Sequence, residues 1–141
     1  MDQTLSPVVI IVDDEITQLR LMASLLARSY VALPISSAKE ALRVLDDMHM
    51  TGDLPQVKAV LLDVMMPEID GLTLLEMIRQ RYPIEVPVIM VTALSLKGTI
   101  LRAQKLGAND YLIKPFPTQL LLDKLAQLGS DGDQEMVDGT Q

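Results

Sequence analysis

The stretch LLDVMMPEIDG, residues 61–71, joins an apolar run to a charged residue and then to a turn. Its first letters complete KAVLLD, which is typical of a buried strand and ends at Asp63. Pro67 and the pair Asp70 and Gly71 then mark a loop. The segment GLTLLEMIRQRY that follows has apolar residues at helical spacing. The stretch therefore predicts a strand, a loop and a helix, with a carboxylate at the carboxyl end of the strand.

The same alternation of strand and helix extends in both directions from this stretch. Short apolar runs alternate with segments whose apolar residues recur every three or four positions. This alternation predicts a parallel sheet with helices on both faces, joined by right-handed crossovers. The predicted strands are VVIIV (8–12), VALPI (31–35, with Pro34 suiting an edge), KAVLLD (58–63), VPVIMV with Thr92 (86–92) and NDYLIK (109–114).

The first two predicted helices have recognisable faces and ends. The second begins at Ser36 or Ser37, with Glu40 as the capping-box partner of Ser37. The segment DDMHMTGDLPQ (46–56) is predicted to be a loop, because it contains glycine and proline. The inward stripe of the first helix is predicted to be Ile16, Leu19, Met22, Ala23 and Leu26.

The later helices are predicted in the same way. The third faces inward through Leu72, Leu75 and Ile78, and the fourth runs from about 98 to 106 and stops at Gly107. The last helix starts near Pro117. Its inward stripe is predicted to be Leu121, Leu125 and Leu128, flanked by Leu122, which leaves Leu120 pointing outward.

Composition narrows the class of protein. The 141 residues, of which 49% are hydrophobic, suit one domain. The chain has no cysteine and a single histidine, His49, which excludes disulfides, thiolate metal sites and cysteine nucleophiles. Its N-terminus lacks the basic start of a signal peptide, and no apolar run reaches the roughly 18 residues of a membrane span. We therefore expect a cytoplasmic protein with no membrane segment.

Charge is concentrated at the C-terminal end. The net charge is −7, and the final residues SDGDQEMVDGTQ contain acids but no lysine or arginine. Such a chain has no signature of a protein that binds the phosphate backbone, so direct nucleic-acid binding is not expected. The predicted organisation is one domain over residues 1–128 and an acidic, disordered tail or linker over 129–141.

Polar residues follow four of the predicted strands at the same end. Asp13 and Asp14 follow the first strand and Asp63 ends the third. Thr92 closes the fourth strand and Lys114 the fifth. In open parallel sheets this end forms the ligand-binding crevice. Clustered carboxylates stay ionised beside a cation, for which Mg²⁺ is suited, and a carboxylate can itself be a phosphoryl-accepting nucleophile.

In this order and spacing, the segments IIVDDE, LLDVMMPEIDG, VIMVTA and GANDYLIKPF resemble the receiver domains of bacterial two-component response regulators. The resemblance covers about residues 7–128. It implies a flavodoxin-like (βα)5 fold with strand order 2-1-3-4-5. It also implies phosphorelay signal transduction, in which Asp63 accepts a phosphoryl group from a sensor histidine kinase or a phosphotransfer protein. No turnover enzyme is expected in this chain.

The resemblance also implies a metal site. Asp14 and Asp63 would bind Mg²⁺, or Mn²⁺ in its place, and Asp13 would act through water. The backbone carbonyl of Met65 would complete the protein ligands. All of these residues lie at the carboxyl ends of the first and third predicted strands.

The remaining implied roles concern the phosphoryl group and the switch. Lys114 would pair with the phosphoryl group. The Lys114–Pro115 peptide bond is expected to be cis. The hydroxyl of Thr92 would move to the phosphoryl group, and the ring of Tyr111 would follow inward. The outward Leu120 lies on the face that such domains form from the fourth helix, the fifth strand and the fifth helix. A homodimer through this face is expected.

Two features depart from the usual receiver pattern. Met65 and Leu94, two positions beyond Asp63 and Thr92, are both apolar, whereas many receivers have one polar residue there. We hypothesise that the apolar pair shields the aspartyl phosphate and slows its hydrolysis. The chain before Asp63 is also about six residues longer than is usual, and we place the extra length in the loop predicted at 46–56.

Other interpretations of these residues remain open from sequence. Asp13 and Asp14 can cap a helix, Thr92 is common in strands, Tyr111 can be a core residue and Lys114 a solvated one. Two other functions are compatible with the carboxylates. One is a Mg²⁺-dependent phosphohydrolase, which wants a second acid at the position of Met65. The other is a pseudo-receiver that binds partners without phosphorylation.

Overall fold

The computed structural model describes residues 6–83 and 85–128, and these form a parallel sheet. All the strand pairs are parallel. The strands are β1 (Val8–Val12), β2 (Val31–Ile35), β3 (Val57–Leu62), β4 (Val88–Thr92) and β5 (Asp110–Ile113), and their order across the sheet is β2-β1-β3-β4-β5. This confirms the flavodoxin-like order predicted from the sequence. The tail predicted at 129–141 lies outside the described residues.

Burial separates the central strands from the edges. β1 and β4 are buried at every position, and β3 at every position except Lys58. Uniform burial is expected for strands covered by helices on both faces. The outer strands β2 and β5 are partly exposed. Pro34 lies in β2 opposite Ile11, and an edge strand tolerates the missing amide proton.

Helices cover the two faces of the sheet unequally. The helices are α1 (Ile16–Leu26), α2 (Ala38–Thr51), α3 (Gly71–Arg81), α4 (Lys97–Lys105) and α5 (Thr118–Gln127). One core cluster joins α2, α3 and α4 to the sheet, and a second joins α1 and α5. Alternate residues of β1 enter different clusters, as strand geometry requires: Ile10 enters the first and Ile11 the second.

Several predicted ends and faces are confirmed. Ser37 is the N-cap of α2, and its hydroxyl accepts a hydrogen bond from the Glu40 amide at 3.1 Å. The Glu40 carboxylate pairs with Arg43 instead of completing the capping box. Gly107 follows α4 with a φ of 100°, a conformation that glycine adopts readily. Other residues behave as predicted: Leu72, Leu75, Ile78, Leu121 and Leu125 are buried, and Leu120 is exposed.

The loop predicted at 46–56 is wrong. α2 continues through Thr51, and Gly52 ends it in the left-handed conformation with a φ of 82°. A short 3-10 turn, Leu54–Gln56, then leads into β3 and inserts Leu54 into the core. The extra length is therefore mostly two further turns of helix, because glycine marked the end of the helix and not an earlier break.

The predicted stripe of α1 is wrong at its first residue. Leu19 and Leu26 are buried and Met22 and Ala23 partly so, but Ile16 is 48% exposed. The side chain of Glu15 caps the helix by accepting from the Gln18 amide, so Ile16 is the first helical residue. The first position of the helix projects past the edge of the core, which the periodic pattern does not reveal.

Candidate functional site

Charged side chains from three strand ends meet at the carboxyl edge of the sheet. Asp13 follows β1, Asp63 follows β3, and Lys114 follows β5. The ammonium nitrogen Nζ of Lys114 lies 3.2 Å from Oδ2 of Asp13 and 3.6 Å from Oδ2 of Asp63. All three side chains are at least four-fifths buried, with relative exposures of 19%, 10% and 13% respectively. Lys114 therefore offsets the repulsion between two carboxylates that share one crevice.

Each carboxylate is also fixed by its own loop. Oδ1 of Asp13 accepts from the Glu15 amide at 3.0 Å, and Oδ1 of Asp63 accepts from the Met65 amide at 3.1 Å. The two local turns are alike, since aspartate commonly binds a backbone amide two residues ahead. In both residues this leaves Oδ2 directed towards Lys114. The second oxygen of Asp63 is thus available to react or to bind a cation.

The two acids that follow Asp13 in sequence differ in their roles. Asp14 is exposed and lines the open groove beside the site. Glu15, and not either aspartate, is the N-cap of α1. The helix-capping interpretation of Asp13 and Asp14 is therefore not what the structure shows. Both aspartates line the groove at the carboxyl edge of the sheet.

Thr92 and Tyr111 bracket the backbone of Leu94. Thr92 is fully buried, and its hydroxyl accepts a hydrogen bond from the Leu94 amide at 3.3 Å. The hydroxyl of Tyr111 donates to the Leu94 carbonyl at 2.7 Å, and the ring packs against the core. Burial and the negative charge of Asp63 raise the pKa of the Tyr111 hydroxyl, which keeps it a donor at neutral pH.

The apolar neighbours Met65 and Leu94 occupy unequal environments. Met65 is 61% exposed beside the Asp63 carboxylate, which its amide binds. Leu94 is partly buried and packs against the core cluster of α2, α3 and α4. Met65 is therefore the more exposed side chain of the pair. The shielding hypothesis stays a prediction.

Gly71 is required where the site loop meets α3. A Cβ at this position would lie 2.1 Å from the backbone oxygen of Asp63, which is a clash. The Gly71 amide donates to the Val64 carbonyl at 2.9 Å, so the start of α3 rests directly on the chain that carries Asp63. The intervening Glu68 has a φ of 69°, an uncommon conformation for a residue other than glycine. The loop thus packs closely against the backbone of Asp63 and Val64.

An open groove of about 590 Å³ leads away from these residues. It is acidic at Asp13, Asp14 and Asp63, and becomes apolar between α1 and α5. Gln18, in the first turn of α1, lines both this groove and a water-sized recess beneath Asp13 and Asp63. Gln18 was not among the site residues predicted from the sequence. Its position four residues after Asp14 on a predicted helix is the signal that could have found it.

The donor set fits a hard divalent cation. Asp13, Asp14 and Asp63 offer carboxylate oxygens at one strand edge, and Mg²⁺ is bound by one or two carboxylates together with water. Within residues 6–83 and 85–128, no three acidic or histidine side chains are close enough to form a complete metal cage. Lys114 supplies the compensating positive charge at Asp13 and Asp63. The residues thus fit a metal that keeps much of its hydration.

Comparison with known proteins identifies the class. A family model described as the response regulator receiver domain matches residues 9–126. The chemotaxis protein CheY homolog of Campylobacter jejuni is 32% identical over 127 residues, which cover 89% of this chain and 95% of that protein. The response regulator protein FleR of Pseudomonas aeruginosa is 36% identical over 120 residues, which cover 85% of this chain but only 24% of FleR.

The solved structures agree with this match. The BeF3-activated receiver domain of DrrB, from Thermotoga maritima, superposes with a TM-score of 0.72 at 27% identity, covering 86% of this chain and 96% of that domain. The fold and the acidic crevice thus define a receiver-type α/β domain. The chain belongs to the response regulator receiver domain family of two-component signalling systems. No helix within the described residues is long and apolar enough to cross a membrane.

Proposed function

We propose that this chain is a phosphorylation-dependent switch and that Asp63 accepts the phosphoryl group. The observation that carries the proposal is the position of Lys114, whose Nζ lies within 3.6 Å of one oxygen of both Asp13 and Asp63. The Lys114 ammonium can stabilise the negative charge on the carboxylate, and then that on the phosphoryl oxygens, as transfer proceeds. The donor would be a phosphohistidine on a sensor histidine kinase or a phosphotransfer protein.

In the transfer step, Oδ2 of Asp63 attacks the phosphorus atom. A P–O bond forms as the P–N bond to the donor histidine breaks. The electron pair of the P–N bond stays on the imidazole nitrogen, which takes a proton from water. The Met65 amide holds the other oxygen of Asp63 at 3.1 Å and so orients the nucleophile. Positioning and charge neutralisation of this kind supply most of the catalysis in phosphoryl transfer.

Asp14, Asp63 and the carbonyl of Met65, with Asp13 acting through water, would hold Mg²⁺. When bound, Mg²⁺ would supply positive charge to the phosphoryl oxygens, and Mn²⁺ would serve in its place. The exposed carboxylate of Asp14 at the groove supports this assignment, since a hydrated cation needs an open side.

The response would be read through Thr92 and Tyr111. The Thr92 hydroxyl accepts only a 3.3 Å bond from Leu94, so it can turn to a phosphoryl oxygen at little cost. Leu94 would then shift, and with it the carbonyl that holds Tyr111 at 2.7 Å. Phosphorylation at Asp63 would thereby change the face formed by α4, β5 and α5.

The site supports a single transfer better than repeated hydrolysis. A phosphohydrolase with an aspartate nucleophile needs a general acid to protonate the leaving group. The position two residues after Asp63 carries Met65, whose thioether cannot donate a proton. We therefore propose a switch and not a turnover enzyme.

Intact-mass measurement tests the proposal. With Mg²⁺ and a small-molecule acyl phosphate as donor, the chain should gain one phosphoryl group. Asp63→Asn should abolish the gain, and Asp123→Asn, an exposed acid on α5 bound to Gln119, should not. Beryllofluoride, which activates the related DrrB domain, should likewise bind only when Asp63 is present. Phosphoryl uptake that survives Asp63→Asn would contradict the assignment.

A further inference from the structure

The guanidinium of Arg79, in the last turns of α3, binds backbone and amide oxygens of neighbouring elements. Nε and Nη2 donate to the Gly107 carbonyl at 3.1 and 2.8 Å, and Nη1 donates to the Val86 carbonyl at 2.6 Å. Nη2 also donates to Oδ1 of Asn109 at 3.0 Å. Burial lowers the pKa of Arg79. The planar guanidinium therefore joins an oxygen just before β4, at Val86, to oxygens between α4 and β5, at Gly107 and Asn109.

These bonds fix the C-terminal end of α4. Oδ1 of Asn109 also accepts from the Val88 amide at 2.8 Å, and the Asn109 amide donates to the Val88 carbonyl at 2.7 Å. A Cβ on Gly107 would lie 2.9 Å from Nε of Arg79, so glycine is what allows the guanidinium to reach its carbonyl. The chain between α4 and β5 is thereby fastened to α3 and β4 at once.

The N-terminal end of α4 is held much less. Its N-cap, Leu96, makes no side-chain capping bond, and the surrounding residues 95–98 are exposed. The one buried residue of the helix, Ala103, lies in its C-terminal half. Before the helix, the chain is tied at Leu94 to Thr92 and Tyr111, which are the side chains that the proposed switch would move.

We propose that Arg79 is the fixed pivot of the switch, about which α4 tilts when the segment before it rearranges. The proposal rests on the proposed function, because phosphorylation at Asp63 supplies the rearrangement. The nine residues of α4 make a lever about 13 Å long. A tilt of about 10° about Gly107 would move the N-terminal end by about 2 Å and leave the C-terminal end in place. Arg79 thus acts as a positioning residue for the face formed by α4, β5 and α5.

Spin-label distances test the pivot directly, because the chain has no cysteine to remove. One label replaces Lys39, which is exposed on α2, and the second replaces either Lys97 or Lys105 at the two ends of α4. With Mg²⁺ and beryllofluoride, the Lys97 distance should shift by about 2 Å, and the Lys105 distance should stay within about 1 Å. A Lys105 shift as large as that of Lys97 overturns the proposal.

The role of Arg79 is tested by a matched pair of variants. Arg79→Gln removes the guanidinium, so beryllofluoride should now also shift the Lys105 distance. Arg81→Gln, two residues along the same helix, removes an exposed ion pair to Asp46 but no bond to the chain between α4 and β5, and it should leave that distance fixed. If Arg79→Gln does not fold, Arg79→Lys keeps the charge but not the planar guanidinium and is measured in its place. A Lys105 distance that stays fixed in the Arg79 variant overturns the pivot.

Hydrogen exchange separates this proposal from the proposed function. Without any ligand, Arg79→Gln should speed amide exchange at residues 106–109 about tenfold or more, and Arg81→Gln should not. Equal exchange in the two variants shows that Arg79 is no anchor and overturns the inference. If beryllofluoride fails to bind, the proposed function is wrong. The tilt of α4 needs that signal, so the pivot proposal is then wrong as well, even where hydrogen exchange shows that Arg79 holds residues 106–109.

Discussion

At the scale of single residues, the site was predictable where it depended on strand ends. Asp13, Asp63 and Lys114 meet because each follows a strand of one parallel sheet, and the sequence shows those strands as apolar runs. The cap of α1 was not predictable, because three successive acids compete for it and only the loop geometry selects Glu15. Gln18 was not predicted for a related reason, because the direction of its side chain depends on where α1 starts.

Met65 should control the lifetime of the phosphorylated state. Replacing this exposed side chain with asparagine offers an amide that can position water, so phosphate loss should accelerate by about tenfold or more. The decay of protein-bound phosphate after removal of the donor measures the rate. Adding Leu94→Glu should accelerate it further, at some cost in stability because Leu94 packs against the core.

Met50 provides the control for this prediction. It is 85% exposed at the C-terminal end of α2, away from the carboxyl ends of the strands. Met50→Asn should leave phosphate loss unchanged. A rate in Met65→Asn equal to that of the unmodified chain would remove the shielding hypothesis.

Gly71 should be intolerant of a single methyl group. In Gly71→Ala the new Cβ meets the Asp63 carbonyl at 2.1 Å, so the loop must move. The free energy of unfolding should fall by about 1–3 kcal/mol, and phosphoryl uptake should fall with it. Gly98→Ala meets nothing within 4 Å and lies in α4, so it should gain about 0.5–1 kcal/mol. Urea unfolding of both variants decides the matter, and equal stabilities would contradict the expected clash.

At the scale of elements, the sequence placed each strand and helix but misjudged the length of α2. The prediction took the glycine and proline of residues 46–56 as a loop, and the helix in fact continues to Thr51. What extends it is tertiary: the Asp46 carboxylate accepts from the Tyr82 hydroxyl and from Arg81. The ring of His49 also packs edge-on against Tyr82, with ring centroids 5.5 Å apart. Contacts between residues so far apart in sequence leave no periodic signal.

The Tyr82–Asp46 bond should give α2 a stability that depends on pH. The Tyr82 hydroxyl, with Arg81, lowers the pKa of the Asp46 carboxyl below its ordinary value. A carboxyl whose pKa is lowered by folding stabilises the fold above its unfolded pKa of about 4, and this contribution is lost as pH falls through the folded value. Tyr82→Phe should therefore lower the free energy of unfolding at neutral pH and flatten its loss in acid.

Chemical unfolding between about pH 2 and 7 measures both effects. Tyr30→Phe is the matched control, because burial alone raises the pKa of Tyr30 and no carboxylate contributes to that shift. The Tyr30 variant should keep the acid dependence of the unmodified chain. If the free energy of unfolding falls at low pH by the same amount in Tyr82→Phe as in the unmodified chain, the Tyr82–Asp46 bond does not stabilise α2.

At the scale of the whole molecule, the outward face of α4, β5 and α5 is the surface left to respond. Each of these elements exposes one large apolar side chain at 40% or more: Leu101, Ile113 and Leu120. A symmetric pair would bring the same face of two chains together. Each chain carries a net charge of −7, so two chains repel, and dimers should be weaker at low salt.

Because phosphorylation is proposed to change this face, we expect it to raise the fraction of dimer formed through it. With Mg²⁺ and beryllofluoride, the mass from light scattering should increase with protein concentration, and more so when salt screens the charge. Leu120→Lys places a charge in the buried patch of each partner, so the mass should stay that of one chain. Met50→Lys adds the same charge to α2, where the side chain is 85% exposed, and it should leave dimerisation intact. If Met50→Lys abolished association and Leu120→Lys did not, the interface would lie on α2, and the tilt of α4 would have to be read by a different partner.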